Sequence, residues 1–281
     1  MKTKYTNTYI AAYFIIYLSL CLLIKGSGYT NQYYVLISVA TFLFGIFIAF
    51  SIYNHQSRVS RIKELLRTDD SYLLTIYRQS AVFGDDVQGK VRKYIDEYLI
   101  TQIDYKITDF HESTKAFKTL DIYVLGLHPT SDKQLAMYES MVQQLADSLI
   151  NRKLVGTYAR QKMTGLEWVS IISLHTLIAF FVLSFNDRKL SSSLLSTVLV
   201  VAGFIMILVL KELNNLTWQE NDWIWQPLHN LFIDLDLLPY YPEMVIDQRR
   251  ARVAPGSEVR ICHYNKPYPD MSDNEVHVMT L

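Results

Sequence analysis

Four stretches of this chain are long, apolar and almost free of charge, and no other feature restricts its fold as tightly. A helix that crosses a bilayer needs about 20 mostly apolar residues at about 1.5 Å rise each. Runs of that kind cover Thr8–Ile24, Tyr33–Tyr53, Leu166–Phe185 and Ser193–Leu210. Backbone polar groups inside lipid must bond within their own segment, so such runs dictate helices. Tyr5, Tyr9, Tyr33, Tyr34, Tyr53 and Trp168 sit near the run ends, where amphipathic rings settle at the headgroup level. The first run also fits the apolar part of a signal peptide. Lys25 stands directly after it and no small-x-small cleavage site is present, which favours a retained span.

Orientation is set by the basic residues near the span ends. Lys2, Lys4, Arg58, Arg61, Lys63, Arg67, Arg152, Lys153, Arg160, Lys162 and Lys211 fall on one side, against Lys25, Arg188 and Lys189 on the other. The richer side faces the cytoplasm. Both termini and residues 54–165 are therefore expected there. The expected architecture is all-α and polytopic, with four transmembrane helices and long cytoplasmic helical extensions. Residues 1–53 form a first transmembrane hairpin, 54–165 a cytoplasmic helical insert and 166–211 a second hairpin. Residues 212–238 read as a juxtamembrane helical segment. Residues 239–281 hold five of the seven prolines and read as an extended or disordered tail.

Within the insert, Val59, Ile62, Leu66, Leu73 and Ile76 recur at threes and fours, apart from one seven-residue step at Asp69 and Asp70. Val91, Ile95, Tyr98, Gln102 and Ile107 mark a second stripe, and Leu135, Tyr138, Val142, Leu145 and Leu149 a third. Such stripes bury one helix face against partners. No Pro or Gly lies between Phe50 and Gly84, so the second span is expected to continue as one helix past Arg58. The helix beginning near Ser131 or Asp132 is expected to run into the third span. Asp85 or Asp86 would cap the helix after Gly84, and Pro227 would start a new segment.

Several function classes have no support. The 27 basic and 27 acidic residues balance to zero, so no global field favours nucleic acid. Cys21 and Cys262 form no zinc pattern, and the topology sets them near opposite membrane faces, away from a shared disulfide. No phosphate loop, HExxH or GxSxG motif is present, so neither an enzyme nor a resident cofactor is expected.

The second span carries most of the remaining signal. Ser38, Thr41, Gly45 and Ala49 share a face that permits close helix–helix approach. Phe42, Ile46 and Phe50 recur at steps of four and could form an apolar pore constriction, against the plainer reading of lipid or helix packing. His175, an ionisable group at membrane depth, is either functional or a neutral imidazole bonded to groups near Ser170, Ser173 or Thr176. Glu220 and Asp222 could supply oxygens to Ca²⁺, although the sequence shows no full cage of ligands.

Two spans, a helical insert, two further spans and a tryptophan-rich segment resemble the bestrophin-like membrane family, relatives of the bestrophin anion channels. Phe42-Leu43-Phe44-Gly45-Ile46 is similar to the second-span motif Phe-x-x-Gly-Phe of bestrophins, which place apolar neck residues there. Glu220-Asn221-Asp222-Trp223-Ile224 is similar to their acidic stretch ending in Trp-Ile, which helps bind Ca²⁺ in the animal proteins. The region around Asn151-Arg152 is similar to the helix that enters the third span in the bestrophin-like family. Ser38 and Ile46 depart from the apolar or aromatic neck pattern. The resemblance implies a homo-oligomer, pentameric in the bestrophins, with the second spans around a central axis and small anions such as chloride as the conducted species. The alternative is a non-conducting scaffold or sensor that binds a partner through its cytoplasmic helices. Compact loops point to the bilayer of a bacterial inner membrane.

Overall fold

The computed structural model describes residues 6–26, 31–271 and 273–281. Lys2, Lys4, Tyr5, residues 27–30 of the first outer loop and the side chain of Tyr33 lie outside the described residues. The chain is mostly helical. In order come α1 (Thr6–Leu23), α2 (Asn31–Ser80), α3 (Asp85–Asp104), α4 (Thr114–Leu125), α5 (Asp132–Arg160), α6 (Gly165–Ser184), α7 (Leu190–Asn214), α8 (Gln226–Asp234) and α9 (Glu243–Asp247). Strands β1 (Tyr240–Pro242), β2 (Glu258–Tyr264) and β3 (Asn274–Thr280) complete it. Three helices, α2, α6 and α7, are long and apolar enough to cross a membrane, and α1 is a shorter apolar helix.

The described residues divide into two compact units, those of 6–59 with 162–218, and those of 60–161 with 219–281. In the first, the apolar unit, Tyr17 of α1, Ala40, Phe44 and Ile48 of α2, Ile171, Ile178 and Val182 of α6, and Val200 of α7 form one core. Asn186 ties the α6–α7 turn to α1. Its side-chain amide donates to the Cys21 carbonyl, and Arg188 donates to the Leu23 carbonyl at 2.6 Å. These are carbonyls that the last turn of α1 leaves without helical partners.

The second, the helical unit, buries Leu73 and Ile76 of α2, Val91, Ile95, Tyr98 and Leu99 of α3, Leu120 of α4 and Met141 and Leu145 of α5. As the absence of helix breakers suggests, α2 is one helix of 50 residues that contributes to both units. Ser131 caps α5 by accepting from the Gln134 N–H at 3.3 Å. Pro227 stands in the first turn of α8, after a π-helical turn over Asn221–Trp225.

Three expectations change. First, α5 does not run into α6. Thr164 and Glu167 form a capping box: the Thr164 hydroxyl accepts from the Glu167 N–H at 3.3 Å and the Glu167 carboxylate accepts from the Thr164 N–H at 2.7 Å. That reciprocal pair starts a new helix. Second, Gly84 occupies the cap position before α3, at φ +103°, where a side chain is disfavoured. Asp85 and Asp86 come next, in the first turn, where negative charge meets the helix dipole.

Third, the proline-rich tail is ordered. β1 pairs parallel with β2, and β2 antiparallel with β3, giving the order β1-β2-β3. Tyr240, Tyr241, Val259 and Cys262 are buried in the helical unit's core. Charged and phenolic groups fasten the segment to the helices. Arg260 grips Asp96 of α3 with two bonds of 2.8 and 2.6 Å, and Tyr240 and Tyr264 both donate to Asp104, at 2.7 and 2.5 Å. Tyr268 donates to Asp109. Pro239 precedes β1 and Pro242 ends it, and Pro255 and Pro269 sit in turns between the strands.

Candidate functional site

In the apolar unit, α2 presents two different faces. Ala40, Phe44 and Ile48 recur every four residues and are buried. Phe42, Ile46 and Phe50 lie on the far side, 67%, 38% and 65% exposed. Ser38, Thr41, Gly45 and Ala49 are exposed as well, and a Cβ added at Gly45 would meet nothing within 4 Å. Neither the proposed constriction nor the small-residue face is used up by packing within its own unit.

His175 is buried on α6 at 7% exposure. Its Nε2 lies 3.3 Å from the Tyr13 hydroxyl of α1, and its ring packs against Phe44. Gly203 of α7 makes room for it, because a Cβ there would come within 2.8 Å of Nδ1 and 2.9 Å of Cε1. The histidine's partner is thus a phenol from another helix. Ser170 and Thr176 donate instead to the carbonyls of Leu166 and Ile172 in their own helix.

Further along α2, in the helical unit, Ile62, Leu66, Asp69, Leu73 and Ile76 form the buried line. Asp69 fills the seven-residue step in the apolar stripe. At 3% exposure, it accepts from the Ser148 hydroxyl of α5 and from the Tyr98 hydroxyl of α3 at 3.2 Å. Arg152 of α5, at 5% exposure, stacks over the rings of Tyr98, Phe110 and Phe117, with its carbon 4.7, 5.1 and 4.7 Å from the centroids. One guanidinium nitrogen reaches Ser113 Oγ at 3.1 Å, and Nη1 has no hydrogen-bond partner among the described residues. Burial pushes the Asp69 carboxyl up to about 6, against the lowering pull of Ser148, Arg152 and Tyr98.

The opposite face of this part of α2 is an open groove lined by Ser60, Lys63, Glu64, Arg67, Thr68 and Ser71. Glu64 pairs with Arg61 at 2.7 Å, and the Lys63 ammonium lies 5.9 Å from the centre of the Trp223 ring.

The two acidic residues proposed for Ca²⁺ take different partners. Glu220, at 4% exposure, receives Arg250 through bonds of 2.9 and 2.5 Å. Asp222 is exposed and accepts from Asn221 at 3.0 Å. Among the described residues no three His, Cys, Asp or Glu side chains gather as a metal site. An internal guanidinium stands where the sequence suggested a divalent cation.

A scan against protein-family models matches the bestrophin-like domain over residues 29–215. The chain belongs to the bestrophin-like family. Neither the search of curated proteins nor the search of solved structures returned a match. Bestrophin-like membership, together with the apolar helices, gives a membrane protein of channel type. The matched stretch contains α2 with both of its faces, the Asp69–Arg152 network, and α6 and α7. It leaves out α1 and the segment that carries Glu220, Arg250 and the sheet. Sequence reasoning missed the Asp69–Arg152 network, whose one visible trace was a charged residue standing in phase with an apolar stripe.

Proposed function

We propose that this bestrophin-like protein is a homo-oligomer, pentameric by family analogy, that passively conducts small anions such as chloride. Four helices, α1, the first part of α2, α6 and α7, span the bilayer, with both termini and the insert on the cytoplasmic side of a bacterial inner membrane. The α2 helices surround the axis. Phe42, Ile46 and Phe50 form the apolar constriction, and the small-residue face of Ser38, Thr41, Gly45 and Ala49 lets neighbouring copies approach.

One observation carries this reading. On α2, the positions Phe42, Ile46, Phe50, Tyr53, Ser57, Ser60, Glu64, Thr68 and Ser71 are all surface positions, and Thr68 is the most covered of them. Eight steps advance 29 positions from Phe42 to Ser71, about 3.6 per step, the period of a single helix face. The line is apolar and aromatic through Tyr53, then hydroxylic and charged. A lipid-facing surface has no use for the second half, and a soluble surface has none for the first. A pore wall uses both: a constriction that excludes water when closed, and beyond it a wetted vestibule.

The test is the oligomeric state of the detergent-purified protein, and then, on the same sample, chloride flux into liposomes. A ring with flux supports conduction. A monomer or dimer without flux favours the scaffold or sensor reading. In a conducting protein, alanine at both Phe42 and Ile46 is expected to raise single-channel conductance. Unchanged currents would remove these residues from the constriction.

A further inference from the structure

The groove on α2 looks electrically mixed, and its charges are not equivalent. Glu64 is its one acid, and Arg61 sits on that carboxylate at 2.7 Å, so the two cancel. Lys63 is half-buried, held over the Trp223 ring at 5.9 Å, with the Asp222 charge facing it. Burial and the nearby Arg67 push its ammonium down. Arg67 differs from both. It is exposed, and its guanidinium makes no ion pair or hydrogen bond among the described residues. Asp70, three residues on, is the acid whose charge Arg67 feels, but burial and the neighbouring Asp69 outweigh the pull of Arg67 and push that carboxyl up to about 8, toward its neutral form. A guanidinium keeps its charge at any working pH. Arg67 is therefore the groove's uncompensated fixed charge.

Building on the conduction reading above, we propose that Arg67 sets the sign of the ions this protein carries, selecting small monovalent anions over sodium or potassium. A ring of symmetry-related copies would place one such charge per subunit around the axis. Fixed charge in a water-filled passage concentrates counter-ions and repels co-ions. Two of the groove's three hydroxyls do not compete for this role. Thr68 and Ser71 donate their protons to the carbonyls of Glu64 and Arg67 at 2.9 Å each, so they have no proton free for an anion. Because the charge acts through water, its effect is screened over about 8 Å at physiological salt and about 3 Å at 1 M.

The experiment uses the full-length protein in planar bilayers, with reversal potentials measured under a potassium chloride gradient. The wild type is expected to favour chloride. Arg67→Gln should lower the chloride-to-potassium permeability ratio about tenfold, the low end of what a charged cleft gives its counter-ion. Arg67→Glu should bring the ratio below one, and Arg67→Lys should keep the wild-type value. The double swap Arg61→Glu, Glu64→Arg should also keep it. Raising the salt to 1 M should shrink the difference between wild type and Arg67→Gln, a response that a purely structural role would not produce. A conducting Arg67→Glu or Arg67→Gln channel with the wild-type ratio overturns the assignment and leaves conduction standing. A wild-type protein that assembles but carries no current overturns conduction, and this assignment with it. If Arg67→Glu fails to assemble, the Lys and Gln variants decide between charge and structure.

Discussion

The apolar unit and the helical unit share one helix and house buried polarity differently: only the second encloses a carboxylate and a guanidinium in one network. Along α2 the buried line of the first is Ala40, Phe44 and Ile48, and that of the second is Ile62, Leu66, Asp69, Leu73 and Ile76. The first unit buries His175 and Asn186, each answered by a phenol or a carbonyl, and a single guanidinium, that of Arg58, which donates to the Asn214 carbonyl at 3.3 Å. The second unit buries a carboxylate and a guanidinium, and spends two hydroxyls and three aromatic rings on housing them. A bilayer offers nothing to relax around a stranded charge, so polarity there stays local and light. The helical unit joins α2, α3 and α5 through its charged network, in which Arg152 Nη1 is covered by aromatic rings and has no hydrogen-bond partner among the described residues.

The largest expected effect comes from breaking that network. Arg152→Met keeps the stem among Tyr98, Phe110 and Phe117 but removes the nearby cation, leaving Asp69 buried without it. The helical unit should lose about 3 kcal/mol, the low end of the range for leaving a buried charge uncompensated, because the two charges act on each other without direct contact. Trp223 and Trp225 lie in this unit, so tryptophan fluorescence during denaturant unfolding reads the loss. A variant as stable as wild type would mean that the rings alone satisfy this position.

The next effect is on pH dependence. Asp69 is raised to about 6 from an ordinary value of 3.8, so the folded state holds its proton more tightly than the unfolded chain does. Its contribution to stability is fully present below about pH 4 and is lost as pH rises through about 6. The span corresponds to about 3 kcal/mol. Asp69→Asn keeps an acceptor for one of the two hydroxyls, which bond different carboxylate oxygens, and should make the stability profile between pH 4 and 6 shallower, with Asp70, itself pushed up to about 8, supplying the slope that remains. A mutant whose slope matches the wild type would show that Asp69 contributes nothing to this titration and that Asp70 carries it alone. In the Arg152→Met background the same transition should move to higher pH, because the pull that favours the charged form is gone.

The contrast between units also explains how far the sequence was legible. The apolar runs could be read because lipid leaves the chain few options, and the length of α2 could be read because nothing between Phe50 and Gly84 breaks a helix. Asp69 was visible only as an interruption in a stripe, since periodicity records hydrophobicity and cannot name a distant partner such as Ser148 or Tyr98. The sheet was missed for a related reason. Val259 and Ile261 do alternate with polar residues, but the strands are short, β3 is exposed along its length, and the prolines on either side suggested disorder. The ion pair between Arg250 and Glu220 joins residues 30 apart, and no local pattern announces it. On α2, a sequence reading can assign faces by period. It can suggest the local pair of Arg61 with Glu64, but not that Lys63 faces Asp222 and Trp223, which arrive from another part of the chain.

The smallest expected effect tests the other side of the contrast. Tyr13→Phe removes the hydroxyl that meets His175 at 3.3 Å and keeps the ring that stacks on Phe204 at 4.3 Å between centroids. Hydrogen bonds between membrane helices are worth about 0.6 kcal/mol on average, because the unfolded chain in the membrane also finds partners. Unfolding of the detergent-solubilised protein should therefore shift by about that amount, several times less than for Arg152→Met. The space around the imidazole supports a small value, because Gly203 and Phe44 hold the ring in place by shape whether or not the bond forms. A loss of about 3 kcal/mol or more, on the scale of a buried charge, would erase the distinction between the two units. It would make Tyr13–His175 a structural keystone on a par with Asp69–Arg152.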